Sequence, residues 1–137
     1  MTLAGPAMQL KQYRFDPALR DEFLAVWREI ARIRQACGFT VPFAVVDDER
    51  HVLTWAVSHP RFAEGAAAYY ANAERQSFSR TDYDPATGAY FDSGRNDQRN
   101  IEDYILAAEI TWVSAGTTNQ QRMETLISEY GVQNYIY

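Results

Sequence analysis

DPALRDEFLAVWREIARIRQACGFTVPFAVVDDERHVLTWAV, residues 16–57, is the stretch that decides the fold. Asp16 offers a carboxylate to the free backbone N–H groups of a helix start, and Pro17 follows where a missing donor costs nothing. Asp21 and Glu22 stand near the start of the helix and Arg32 and Arg34 near its end, both favourable against the peptide dipole. Leu19, Phe23, Val26, Trp27, Ile30 and Ile33 recur every three or four residues, which draws one apolar stripe along a helix. Gly38 supplies the left-handed residue that closes it. Burying each large side chain contributes about 1.5–3 kcal/mol, so this stripe forms a major part of the core.

From Phe39 the period changes to two. Phe39, Val41, Phe43 and Val45 share one side of a strand, and Thr40, Pro42, Ala44 and Val46 the other. Pro42 has no N–H to give a ladder, which marks an edge strand or a bulge. Residues 47–50 are a polar turn, and 51–57 read as the return strand.

Working outward, residues 8–15 alternate and form a first strand. A second helix is predicted over 61–75, with Phe62, Ala66, Tyr69, Tyr70 and Ala73 on its apolar side. Within 83–90, Asp84, Pro85 and Gly88 have turn chemistry, so Tyr83 and Tyr90 should face each other across a hairpin. Residues 101–113 form the longest strand, with Tyr104, Leu106, Ala108, Ile110 and Trp112 on one face. Beyond Gly116, Thr118 and Gln121 have capping-box spacing, and Met123, Leu126, Ile127 and Tyr130 make the stripe of a last helix. An apolar tail follows it, and a partner subunit is a candidate to cover helix and tail.

Strand-helix-strand-strand-helix-strand is the order of a ferredoxin-like βαββαβ sandwich, an α+β fold. A single domain over 1–137 is expected, with its core at 8–113. A hairpin and loop are inserted at 76–100, and a helix and tail are added at 117–137. Helices on one side leave the other side of the sheet bare. Two copies closing through those bare faces would make a homodimer, a dimeric α/β barrel.

A chain of 137 residues can bury roughly two-thirds of its unfolded surface, enough for one core. The net charge of −5, with no cluster of basic residues, excludes a nucleic-acid footprint. One cysteine permits no internal disulfide. No basic-then-apolar leader opens the chain, and no apolar run reaches the ~20 residues of a membrane span. A soluble, cytoplasmic domain with no membrane attachment is the expectation.

Several short motifs fall on these elements. They are Tyr13-Arg14-Phe15 on the first strand, Phe23-Leu24-x-x-Trp27 on the helix and Arg34-x-x-x-Gly38-Phe39 at its end. Leu53-x-Trp55 and Tyr69-Tyr70-x-x-x-Glu74-Arg75 come later. In these the chain resembles the NIPSNAP family of dimeric α/β-barrel proteins, over 8–75 and again over 104–113. The resemblance implies the dimeric barrel and no particular reaction. Related barrels include cofactor-independent monooxygenases and haem-degrading enzymes, a kinship of fold alone. The insertion at 76–100 and the helix after Gly116 depart from the compact family pattern.

No phosphate loop, dinucleotide fingerprint, zinc-protease motif or nucleophile elbow is present, so no cofactor is implied. Cys37 stands at a helix C-terminus, where the dipole disfavours a thiolate. His51 begins a strand and reads as solvated. His59 lies at a strand end before a helix and is a candidate base, but one histidine is not a metal site. Asp82, Asp84 and Asp92 lack the third ligand and closing glutamate of a calcium loop. Glu109 is the other candidate base: mid-strand among apolar neighbours, it either faces solvent or is a buried carboxylate whose pKa burial would raise.

Trp55, Tyr69, Tyr70 and Tyr104 are candidate walls of a ligand pocket, because buried Tyr and Trp bring both apolar bodies and polar tips. Arg34 or Arg75 would recognise an anionic group, although helix-end arginines more often lie at the surface. The leading expectation is a small apolar or aromatic molecule bound between sheet and helices. The alternatives are a cofactor-independent monooxygenase or isomerase using His59 or Glu109, and a non-catalytic structural or interaction module docking through the C-terminal helix and tail.

Overall fold

The computed structural model describes residues 7–95, 100–113 and 134–135. Its principal helix starts one turn later than the proline suggests. Asp16 Oδ1 accepts from Ala18 N at 3.0 Å, capping a short 3-10 turn at Pro17–Leu19, and α1 runs on over Arg20–Ala36. Its end follows the sequence closely. Gly38 takes φ +89°, Phe39 N donates to Arg34 O and Gly38 N to Gln35 O, the paired bonds of a Schellman cap.

The main sheet is antiparallel throughout, in the order β6-β1-β3-β2-β7. Its strands are β1 (Ala7–Phe15), β2 (Ala44–Asp47), β3 (Val52–His59), β6 (Ile105–Val113) and β7 (Asn134–Tyr135). β2 is shorter than its alternation suggests. Thr40 makes only an isolated bridge to Ser58, and the segment around Pro42 leaves the ladder. The interruption also changes the faces: Phe39 and Val41 join Ala44 and Val46 in the helix-side core, while Phe43 packs on the opposite side.

The second helix divides into α2 (Phe62–Tyr70) and α3 (Ala73–Gln76). Asn72 causes the break, because its backbone turns extended and its side chain accepts from Arg75 N at 3.0 Å, starting a new helix. The expected hairpin is present as β4 (Thr81–Asp84) and β5 (Ala89–Asp92), with Tyr83 opposite Tyr90 and ring centroids 5.0 Å apart. Asp84 and Gly88 build its turn as expected, Gly88 at φ +75°. The last long strand starts at Ile105, since 101–103 is a 3-10 turn.

The fold is therefore mixed α+β, with antiparallel sheets and three helices among the described residues. One core lies between the helices and one face of the main sheet, where Trp27 of α1 meets Trp55 of β3 edge-on at 5.4 Å. A smaller cluster of Leu10, Ala56 and Val113, with Met8 and Phe43, lies on the opposite face. The C-terminal helix expected after Gly116 lies outside the described residues. Of the tail, Asn134–Tyr135 pairs with this chain's own β2 and continues the sheet. No helix among the described residues is long and apolar enough to cross a membrane.

Candidate functional site

Alternate residues of β1 divide between the two faces of the sheet. Gln9, Lys11, Tyr13 and Phe15 point toward the helices; Leu10, Gln12 and Arg14 point away. On the helix side a cavity of about 500 Å³ opens between β1, β3, β6, α1 and α2, a volume suited to a small molecule. Trp55, Tyr69, Tyr70 and Arg34, expected as ligand-binding residues, all line it. Tyr104 does not. Its ring is buried beside Phe23 and its hydroxyl donates to Glu22 Oε2 at 3.4 Å, away from the cavity.

The arginines overturn the surface expectation. Arg34 is 1% exposed and Arg75 3%. Arg34 Cζ lies 3.8 Å from the centre of the Tyr69 ring and Arg75 Cζ 4.2 Å from that of Tyr70. Stacking of this kind, away from water, is worth about 2 kcal/mol or more for each cation. Arg75 is further held by Ser79 Oγ, by the Thr81 carbonyl and by Asp82 at 3.9 Å. Arg34 Nη2 donates to the Tyr70 hydroxyl at 3.4 Å, while its Nε and Nη1 are buried with no hydrogen-bond partner among the described residues. A buried guanidinium left short of acceptors is costly, so an acceptor from outside the chain would be bound with a gain.

Lys11 completes the cluster. It is 4% exposed, lies 5.5 Å above the Trp55 ring, and makes no ion pair or hydrogen bond among the described residues. Burial, reinforced by the charges of Arg34 and Arg75, holds its amine well below the usual lysine range. Burial likewise raises the Tyr13 and Tyr69 hydroxyls, keeping both as neutral donors. The cavity's carboxylate, Glu102, is already occupied by Ser79, by the Thr81 hydroxyl and by backbone N–H groups of Arg80 and Thr81. The balance of charge inside is positive in a chain whose net charge is −5.

The far wall comes from residues 79–90. Tyr90 of β5 lines the cavity and meets Tyr70 at 5.2 Å, and Ser79 and Thr81 lie beside it. Nothing in the composition of 76–100 announces this, because the hairpin's role depends on where α3 and Arg75 anchor it. Lys11 did carry a signal: it has the same strand parity as Phe15, which is buried, so a charged residue there points into the core.

The candidate bases lie elsewhere. His59 is wedged between Gly38 and Gly65, and its Nδ1 accepts from Arg61 N at 2.9 Å, bracing the entry to α2. Glu109 is exposed, on the opposite face of the sheet, in a groove with Gln12, Arg14 and Thr54. The two do not come together. Cys37 is half-buried and its thiol is pushed up by burial, in keeping with an inert group. Among the described residues no group of three or more His, Cys, Asp or Glu could hold a metal ion.

Compared with protein-family models, with curated proteins and with solved structures, the chain matches none.

Proposed function

We propose that this protein binds a small molecule with an aromatic or apolar body and an anionic group, in the cavity between sheet and helices. The observation that carries this is the pair of buried guanidinium groups, Arg34 and Arg75, set among Tyr69, Tyr70 and Trp55 at the wall of a space of about 500 Å³. Aromatic rings supply the apolar contact and the arginines the charge selection. Thermal shift and calorimetry with 3-phenylpropionate and its uncharged amide test it. The carboxylate should raise the melting temperature and the amide should not. Equal effects, or none from either, would dispose of the charge selection.

The strand order β6-β1-β3-β2 with helices on one face supports a ferredoxin-like sandwich, and with it the NIPSNAP-like barrel. In the proposed homodimer two copies close through the sheet face opposite the helices, where Leu10, Ala56 and Val113 cluster with Met8 and Phe43. Light scattering on the purified protein tests this, and a monomer across the accessible concentration range would end it.

A further inference from the structure

Lys11 is the only lysine in a chain that carries twelve arginines. Apart from Lys11 and two histidines, every basic side chain is thus a guanidinium, while the single side-chain amine is buried at the wall of the cavity, over Trp55 and beside Tyr13. A lysine kept only for charge or solubility belongs at the surface. One with no carboxylate partner among the described residues, held in the field of two guanidinium groups, is in the setting that makes an amine a nucleophile.

We propose that Lys11 forms an imine with a carbonyl compound that carries an anionic group, a 2-oxo acid with an aromatic or apolar side chain being the best-fitting class. This inference rests on the ligand reading above and adds a covalent step to it. Neutral Nζ attacks the carbonyl carbon, and the C–N bond forms as the C=O π pair moves onto oxygen. A proton passes from nitrogen to that oxygen, giving a carbinolamine. The nitrogen lone pair then makes the C=N bond as the hydroxyl departs with the second amine proton, releasing one water. Arg34 and Arg75 draw the carboxylate, and Trp55, Tyr69 and Tyr70 flank the side chain.

Phenylpyruvate with cyanoborohydride traps such an imine as a stable secondary amine, located by peptide mass spectrometry. Its alcohol, phenyllactate, cannot form one and reports binding alone by calorimetry. Having one lysine makes the measurement clean, because the N-terminal amine is the internal reference. The expected result is binding of phenyllactate, with labelling of Lys11 about tenfold faster than of the N-terminus and slowed by phenyllactate. Lys11→Met should lose that adduct and keep its circular dichroism. Binding of phenyllactate with no adduct on Lys11 would overturn the imine and leave the ligand reading standing. Lys11 labelling that phenyllactate does not slow would also overturn it, as adventitious chemistry. If phenyllactate does not bind and Lys11 is not labelled, both fall.

Discussion

The two faces of the main sheet are built from the same strands, yet they bury polar groups for different reasons. On the outward face Gln12 donates to Thr54 Oγ1 at 3.4 Å, and Asp47 accepts from the backbone of Glu49 and Arg50 and from the Arg50 guanidinium. Burial opposes the charge on Asp47, but these donors together hold its carboxyl below the usual range. Its polar atoms are answered from within the chain. Facing the helices, Lys11 and two nitrogens of Arg34 are not answered by any described residue, although they are among the most deeply buried polar groups of the protein. A strand can thus carry polarity answered from within the chain on one side and, on the proposed reading, polarity kept for a ligand on the other, one residue apart.

The contrast is broken most severely at the helix side. Trp27→Ala removes a fully buried ring that abuts Trp55 and should cost about 3–5 kcal/mol in urea unfolding. Lys11→Met should act in the opposite direction. Where the folded amine is charged, removing it takes away a buried charge with no partner among the described residues and should stabilise by about 1 kcal/mol or more. The sign follows from linkage: the folded amine titrates below the unfolded one, so between the two the unfolded chain holds more protons and wild-type stability rises with pH. The variant's advantage should therefore shrink as pH rises toward the ordinary lysine range. The groups facing Lys11, namely Arg34, Arg75, Tyr13, Tyr69 and Glu102, are unchanged between the two proteins, which isolates its contribution.

A smaller loss is expected from Gly65→Ala. A Cβ there would lie 2.5 Å from the His59 ring, and the crowding should cost about 1–3 kcal/mol. Pairing it with His59→Ala should recover most of that crowding loss, which a double-mutant cycle would show as coupling. At the outward face Glu109→Gln should move stability by no more than about 0.5 kcal/mol. It should leave 3-phenylpropionate binding intact. Loss of binding there would place the ligand on the wrong side of the sheet.

Much of this architecture was legible in the residues. The α1 stripe, Gly38, the return strand and the Tyr83–Tyr90 pair each follow from short-range rules, and each is found. Trp55, Tyr69, Tyr70 and Arg34 were readable as neighbours because a two-residue and a 3.6-residue period bring them to one space. Asn72 is harder to foresee, since an alanine-rich run favours one continuous helix and the break depends on a single cap. Arg75 was misplaced for a related reason: on one continuous helix it would end at the surface, whereas α3 turns it inward under Tyr70. The depth of Lys11 needs the cavity itself, which no local pattern encodes.

The hairpin of β4 and β5 closes its own ladder and turn, and it meets the rest of the fold through Tyr70, Arg75 and Glu102, with Arg80 beside it bonded to Asp103. Its length and tip can therefore vary while those few anchors stay in place. Evolution, or an engineer, can recut one side of the chamber as a cassette, reshaping its wall without reopening the scaffold beneath.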